Sequence, residues 1–399
     1  MKKFFCLFIF IMFIFSSCTE KIEDDDKTTM NKEEKNIVAT WITYQEIKDI
    51  VDSSENEYDL NNNINNIVMK LRNFKINVIY LHVRAFDDCF YKSNIYPISL
   101  YCTNQNNGKK YDVLQNFIDI CKLFDIEVHA WINPYRIRND DHVNKINKNT
   151  LAYEYIENGY NERLIITDNN IYYNPAYIDV QKYILDGIKE ILYNYEVDGI
   201  HIDDYFYPTR DENIDKEIYK SYIDMSGFLN LSEYRRACIN SLISAMYTIV
   251  KNYDENICFS ISPNGNVEKN YNEYYADVNK WLIEDGYADY IIPQLYFGYE
   301  HEVSSFKECL SKWTSINSSK LLIGLGIYKS GNIDIYAKSG EKEWLNNTNI
   351  ISRQLQDVIA NDISGFSLYS SSSLVKDTNN LNLKMERENI IKLMEIYES

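Results

Sequence analysis

A short apolar run followed by a longer stretch with helical spacing recurs eight times along this chain. Strands that alternate with helices indicate parallel strands joined by right-handed crossovers. Eight such units predict an α/β fold in which the sheet closes into a (β/α)8 TIM barrel. The alternative, an open doubly wound sheet, calls for a glycine-rich loop after the first strand, where this chain has Thr43-Tyr-Gln-Glu46. The runs are residues 37–43, 76–83, 126–133, 197–203, 257–262, 288–296, 321–327 and 364–369.

The first 35 residues have a different composition. A basic start, an apolar run over residues 4–15 and two serines before Cys18 are typical of a lipoprotein signal peptide, which we predict over residues 1–17. The apolar run is shorter than the roughly 20 residues that a membrane-spanning helix needs. We therefore expect lipidation at Cys18, a disordered charged tether over residues 18–35, and a single barrel domain over residues 36–399. The protein would then be extracytoplasmic, lipid-anchored to a bacterial membrane on the periplasmic side or at the cell surface.

Charge and cysteine spacing exclude several classes of protein. The net charge of −18 disfavours binding to nucleic acid, because phosphate recognition needs clustered Lys and Arg. The cysteines form no C-x-x-C pair, which disfavours a zinc ribbon. The sequence predicts no cofactor, and we assign no residue as a metal ligand.

Side chains alternate in the same way along the second, third and fourth runs. In a barrel strand, alternate side chains face the lumen and the surrounding helices. Aliphatic residues hold one parity in each run, so the polar and aromatic parity is predicted to face the lumen. The same rule applied to the sixth run adds two further residues. The predicted substrate-binding set from these strands is Arg84, His129, Trp131, Asn133, His201, Gln294 and Tyr296.

The fourth run ends in two adjacent acids, Asp203 and Asp204. Parity selects Asp203 as the acid that faces the site and gives Asp204 a supporting place at the strand end. A general acid and a general base need two carboxyl groups, and adjacent strand residues point to opposite faces. We therefore favour Asp88, after the second run, as the partner, with Asp204 retained as a catalytic candidate. Asp87, Glu46 and Glu300 stay open, as does a structural ion pair between Asp203 and Arg84.

Aromatic residues cluster near the strand ends. The aromatic residues predicted to stack on sugar rings, because an aromatic face is apolar while a phenol edge is polar, are Trp131, Tyr135, Tyr205, Tyr207 and Tyr296. Three of the five histidines, His82, His129 and His201, stand on adjacent strands. That arrangement keeps a metal-dependent barrel hydrolase open as an alternative.

Several stretches of this sequence resemble one known family. They are residues 83–88, 91–93, 129–135 (His-Ala-Trp-Ile-Asn-Pro-Tyr), 198–208 (Asp-Gly-Ile-His-Ile-Asp-Asp-Tyr-Phe-Tyr-Pro), 234–236, 261–263, 289–294 and 324–329. In this order they resemble the glycosyl hydrolase-like 10 family (domain of unknown function 187), while the acid-bearing stretch 43–46 departs from it. The resemblance implies a barrel glycosidase of the bacterial envelope that acts on peptidoglycan strands lacking stem peptides. A non-catalytic glycan-binding lipoprotein is the remaining alternative.

Overall fold

The computed structural model describes residues 36–397, apart from 141–144, 168–169 and 317. The predicted signal peptide, Cys18 and the tether lie outside the described residues. The strands are β1 (Ile37–Ile42), β2 (Val78–Arg84), β3 (Glu127–Ile132), β4 (Arg136–Arg138), β5 (Leu164–Thr167), β6 (Asn170–Tyr173), β7 (Gly199–Ile202), β8 (Cys258–Ile261), β9 (Tyr290–Ile291), β10 (Ile323–Leu325) and β11 (Gly365–Leu368).

Eight of these strands form a parallel sheet in the order β10-β11-β1-β2-β3-β7-β8-β9. Parallel bridges from Ile291 to Leu321 and from Gln294 to Gly324 join its two edges. The predicted (β/α)8 barrel is thus confirmed, and every predicted run supplies one barrel strand. The sixth, β9, is shorter than its run, since Pro293 has no N–H to donate to a neighbouring strand.

Helices connect the strands and surround the sheet. They are α1 (Tyr44–Asp52), α2 (Glu57–Leu71), α3 (Val113–Lys122), α4 (Leu151–Glu157), α5 (Ile178–Asn194), α6 (Lys216–Asp224), α7 (Leu231–Tyr253), α8 (Val267–Asn272), α9 (Val278–Ile283), α10 (Phe306–Thr314), α11 (Glu343–Asn346), α12 (Ile350–Ala360), α13 (Ser371–Val375) and α14 (Leu381–Tyr397). Among the described residues, none of these helices combines the length and the apolar character needed to cross a membrane.

The alternation of side chains divides the interior into two cores. On β2, Ile79 and Leu81 belong to the large core between the sheet and the helices. Tyr80, between them, joins Trp41 and Trp131 in a smaller cluster inside the barrel. Aromatic rings therefore fill the lumen, and the polar groups lie near the C-terminal ends of the strands.

Two insertions extend the C-terminal side of the barrel. The first follows β3 and contains α4 and a small antiparallel sheet in the order β4-β6-β5. The second follows β7 and contains α6. A buried ion pair, in which Arg235 Nε donates to Asp215 Oδ2 at 2.8 Å, ties this insertion to α7. Both insertions stand beside the strand ends, where barrel enzymes build their active sites.

Candidate active site

The adjacent acids lie where the fourth barrel strand ends. β7 stops at Ile202 and the chain bends at Asp204, so the two carboxyl groups are not held on opposite faces of a strand. Asp203 is 3% exposed, whereas Asp204 is half-buried. Asp203 contacts the lumen residue Trp131, on the side that parity assigns to it, while Asp204 is the acid nearer to solvent.

Asp203 is hydrogen-bonded on one side only. Its Oδ2 accepts from Trp131 Nε1 at 3.1 Å and from the Asn133 side chain. Its Oδ1 is buried and has no hydrogen-bond partner among the described residues. Because an unpaired buried carboxylate oxygen is costly, this oxygen is a natural position for a proton.

The two acids share their titration. Burial raises the pKa of Asp203 to about 8, helped by the negative charge of Asp204 and opposed by the charge of Arg136. Burial also raises the pKa of Asp204, against a hydrogen bond from the Gln294 side chain. Since two close carboxylates resist joint ionisation, the pair keeps one proton at neutral pH.

Arg136, the cation beside the acids, is absent from the sequence prediction. Its Nη2 donates to Asn133 Oδ1 at 2.8 Å and its Nε to the Ala85 carbonyl at 2.9 Å. Its guanidinium carbon lies 4.3 Å from the ring centroid of Tyr205. The parity rule missed it because Pro134 ends β3, and Arg136 begins a new strand in the insertion.

The same break displaces Tyr135. Parity carried past Pro134 places this residue among the sugar-stacking aromatics, but the structure buries it in the core outside the lumen, with 1% exposed. Tyr207, also 1% exposed, lies in the same core. Neither ring presents a face to a substrate, so the predicted role of both in substrate binding is corrected.

Half-buried tyrosines surround the acid pair. Tyr205 stacks against Tyr172 with a 26° angle between the rings, and the ring centroids of Tyr296 and Tyr369 are 5.4 Å apart. The negative charges of both acids help to raise the pKa values of Tyr172, Tyr205 and Tyr296. Asp204 does the same at Tyr274, and Asp203 at Tyr369. Sequence reasoning missed Tyr172 and Tyr274, since both come from segments outside the barrel strands.

The lumen histidines are held deep in the barrel. His82 stacks on Trp131 at 3.7 Å between centroids and approaches Asn133 Oδ1 at 2.7 Å. His201 Nε2 accepts from Trp41 Nε1 at 3.1 Å. Burial lowers the pKa of His82 and of His201, so both rings are neutral.

His129 lies lower still, beside Glu127 at 3.2 Å and the Tyr290 hydroxyl. His129 and His201 are both at most 1% exposed, so they support the lumen and do not reach a sugar at its mouth. Within residues 36–397, gaps excepted, no three His, Cys, Asp or Glu side chains assemble into a metal-binding arrangement.

Arg84 and the acids after β2 form a separate group. Arg84 pairs with Asp87 at 3.4 Å and donates to the carbonyls of Asn133 and Pro134 at 2.8 and 3.0 Å. The described residues show no contact between Arg84 and Asp203. The ion pair between these two residues, which the sequence left open, is therefore not formed. Asp88 is hydrogen-bonded to Ser99, and the charges that act on it most are those of Asp87, Arg84 and Arg138.

Two other acids considered from sequence are placed elsewhere. Glu46 caps α1, since its Oε2 accepts from the Thr43 amide at 2.6 Å and its Oε1 accepts from the Ser371 hydroxyl at 3.0 Å. Glu300 is exposed on the loop after β9. The structure therefore brings Asp204, and none of the more distant acids, to Asp203.

Comparison with known proteins adds three findings. The model of the family described as glycosyl hydrolase-like 10 matches residues 36–345. The chain is 29% identical to glycosyl hydrolase YngK of Bacillus subtilis over 64% of its own length and 54% of that protein, so it spans about half of this relative. It is 27% identical to glycosyl hydrolase DigH of Escherichia coli K12 over 77% of its length and 74% of that protein.

Solved structures agree on the fold. The glycoside hydrolase domain of PgaB from Bordetella bronchiseptica is similar with a TM-score of 0.56 at 10% identity, over 89% of this chain and 98% of that one. The catalytic domain of β-amylase from Paenibacillus polymyxa is also similar, with a TM-score of 0.56 at 10% identity, over 90% and 98% of the two chains. At these identities the likeness concerns the barrel alone.

Proposed function

This chain belongs to the glycosyl hydrolase-like 10 family, and from that premise we propose that it cleaves peptidoglycan glycan strands that lack stem peptides. Membership confirms two expectations, a glycoside hydrolase and a glycan substrate. The finer substrate is supported by the sequence resemblance and by the predicted lipid anchor, which would hold the enzyme next to the cell-envelope glycan.

The observation that carries the chemistry is the acid pair Asp203–Asp204 at the end of β7. Glycoside hydrolysis uses one protonated and one ionised carboxyl group. A pair that keeps a single proton up to about pH 8 supplies both states at neutral pH.

Bond cleavage follows from these two states. The proton of the pair passes to the glycosidic oxygen as its bond to the anomeric carbon breaks. The ionised carboxylate either attacks that carbon or removes a proton from the water that does so. Asp204, being half-buried, is the carboxyl that a substrate reaches, and Asp203 beneath it completes the pair.

Substrate binding falls to the groups around the pair. The half-buried rings of Tyr205, Tyr296 and Tyr369 offer apolar faces for pyranose rings. Gln294 and Arg136 provide N–H groups near the acids. The positive charge of Arg136 also lowers the pKa of both acids, which favours the ionised state of the second carboxyl group.

The decisive experiment measures reducing ends released from stem-peptide-free peptidoglycan by the wild type and by Asp203→Asn and Asp204→Asn. We expect activity from the wild type and a loss in both variants, with intact peptidoglycan as the control substrate. Equal rates in all three proteins would remove the pair from the mechanism. Glycan binding without hydrolysis by the wild type would favour a binding lipoprotein, and loss on chelation restored by zinc would favour a metal hydrolase.

The location is a second part of the proposal. We infer that Cys18 carries a lipid that anchors the protein to a bacterial membrane outside the cytoplasm. Cys18→Ala should move the protein from the membrane fraction to the soluble extracytoplasmic fraction, as measured by fractionation and immunoblotting. Membrane retention of this variant would refute the anchor without affecting the assignment of the enzyme.

A further inference from the structure

A cavity of about 850 Å³ lies beside the insertion that follows β3. Its walls come from the long loop after β2 and from the segment around β4. Phe86, Asp88, Leu100, Tyr101 and Arg138 are among the residues that line it. Cavities of this size accommodate small organic ligands or single sugar rings.

Asp88 gives the cavity an unsatisfied polar group. Its Oδ1 is buried and has no hydrogen-bond partner among the described residues, while the side chain is also hydrogen-bonded to Ser99. Burial raises the pKa of Asp88 to about 7. Asp88 itself is half-buried in the cavity wall, so its carboxyl group is placed to accept a hydrogen bond from an O–H or N–H of a ligand.

The rest of the lining mixes apolar side chains with uncharged amides and hydroxyls, and its cations are paired with acids, Lys145 among them at 3.8 Å from Asp140. Leu100 is 78% exposed and the ring of Tyr101 is half-buried. The nearby cation Arg138 is engaged with Asp140, at 3.1 Å from Nε and 3.0 Å from Nη2. Lys48 is likewise paired with Asp52 at 2.8 Å. The cavity therefore suits a neutral, hydroxyl-bearing ring better than a phosphate or a carboxylate.

Aromatic contacts connect this cavity to the acid pair. The Arg136 guanidinium carbon lies 4.3 Å from the ring centroid of Tyr205, beside the acids, and 4.6 Å from that of Phe86, in the cavity wall. Phe86 in turn stacks against Tyr101 with 6.1 Å between centroids and an angle of 25°. Tyr44 contacts both Phe86 and Tyr101, at 5.1 and 4.9 Å.

We propose that this cavity is a distal sugar subsite, in which Tyr101 stacks on a neutral sugar ring and Asp88 accepts a hydrogen bond from it. This inference rests on the proposed function, because the ring would belong to the glycan cleaved at Asp203–Asp204. It also moves Asp88 from the chemistry, where sequence reasoning placed it, to substrate binding. Recognition of a chain at two places would make the enzyme prefer long glycans.

The test measures kcat/KM on stem-peptide-free peptidoglycan oligosaccharides of increasing, defined length. In the wild type, kcat/KM should rise with length and then level off once the cavity is filled. Tyr101→Ala and Asp88→Ala should each lower kcat/KM about tenfold on the long substrates and leave the shortest cleaved substrate within about twofold. Tyr58→Ala, at a tyrosine 74% exposed on α2, is the matched control and should match the wild type at every length.

The outcomes separate the subsite from the enzyme assignment. No length dependence in the wild type, or an equal loss at all lengths in correctly folded variants, would overturn the subsite while leaving hydrolysis intact. If the wild type hydrolysed none of these glycans, the proposed function would fail. In that case, calorimetric binding of a long glycan by the wild type that Tyr101→Ala weakens about tenfold would still support the cavity as a sugar site, and equal binding would refute it.

Discussion

Two Asp-Asp pairs follow barrel strands of this protein, and their surroundings make them opposites. Asp87, after β2, is buried and accepts hydrogen bonds from Tyr173 at 2.6 Å and Tyr183 at 3.3 Å, besides its ion pair with Arg84. Asp203, after β7, is equally buried, but one of its oxygens has no partner among the described residues.

The difference lies in the neighbours, since the dipeptide is the same. Burial raises the pKa of Asp87 too, but Arg84 and two phenols stabilise its carboxylate, which makes that acid part of the scaffold. At Asp203 the charge that acts most on the carboxyl group is another acid, Asp204, and Arg136 opposes it only in part. A buried acid that lacks full compensation is the kind that serves chemistry.

The largest expected effect is on catalysis. Asp203→Asn should lower kcat/KM on stem-peptide-free glycan by about 10²- to 10⁴-fold, because the pair can no longer exchange a proton. Asp87→Asn, assayed per mole of folded protein, is expected to keep far more activity. A similar loss in both variants would erase the distinction between the two pairs.

The second effect is on stability, and it falls on the other pair. Asp87→Ala should lower the free energy of unfolding by about 3–5 kcal/mol, because Arg84 is left buried without its counter-ion. Denaturant unfolding followed by circular dichroism measures this quantity. Asp203→Asn serves as the comparison, and a loss of the same size there would contradict the contrast.

The third effect is on pH dependence. Since the pKa of Asp203 is about 8, kcat/KM should fall as pH rises through 8 and the pair loses its proton. Asp204→Asn removes the negative charge that raises this pKa, so the residual activity should fall at a lower pH. An alkaline limb that stays in place in Asp204→Asn would show that the two acids are not coupled.

The smallest effect is on stability at alkaline pH. The folded-state pKa of Asp203 lies near 8, above its ordinary value of 3.8, so folding binds a proton between these values. The contribution of this group to stability is therefore present at low pH and declines as pH rises toward 8. The Tm of Asp203→Asn should exceed that of the wild type at pH 9 by a few degrees and approach it at pH 5. A lower Tm for the variant at pH 9 would argue that the carboxylate is compensated after all.

Local periodicity predicted much of the fold and part of the site. The structure brings Trp131 and Asn133 into hydrogen-bonding contact with Asp203, as the parity of β3 and β7 predicts. That inference worked because the two-residue repeat of a strand is a local property. It failed after Pro134, where the strand ends: Tyr135 lies in the outer core, and Arg136, which the sequence did not single out, lies beside the acids.

The amino-acid sequence by itself determined the barrel, its eight strands and the strand end that carries the acids. These depend on apolar spacing and on side-chain alternation, which a reader of the chain can count. Only the tertiary structure decided that the charge of Asp204 acts on the carboxyl group of Asp203, that Arg84 forms its ion pair with Asp87, and that Asp88 lines a separate cavity. The physical reason is that the protonation and the role of a buried acid depend on which distant groups pack against it, and that packing has no periodic trace in the sequence.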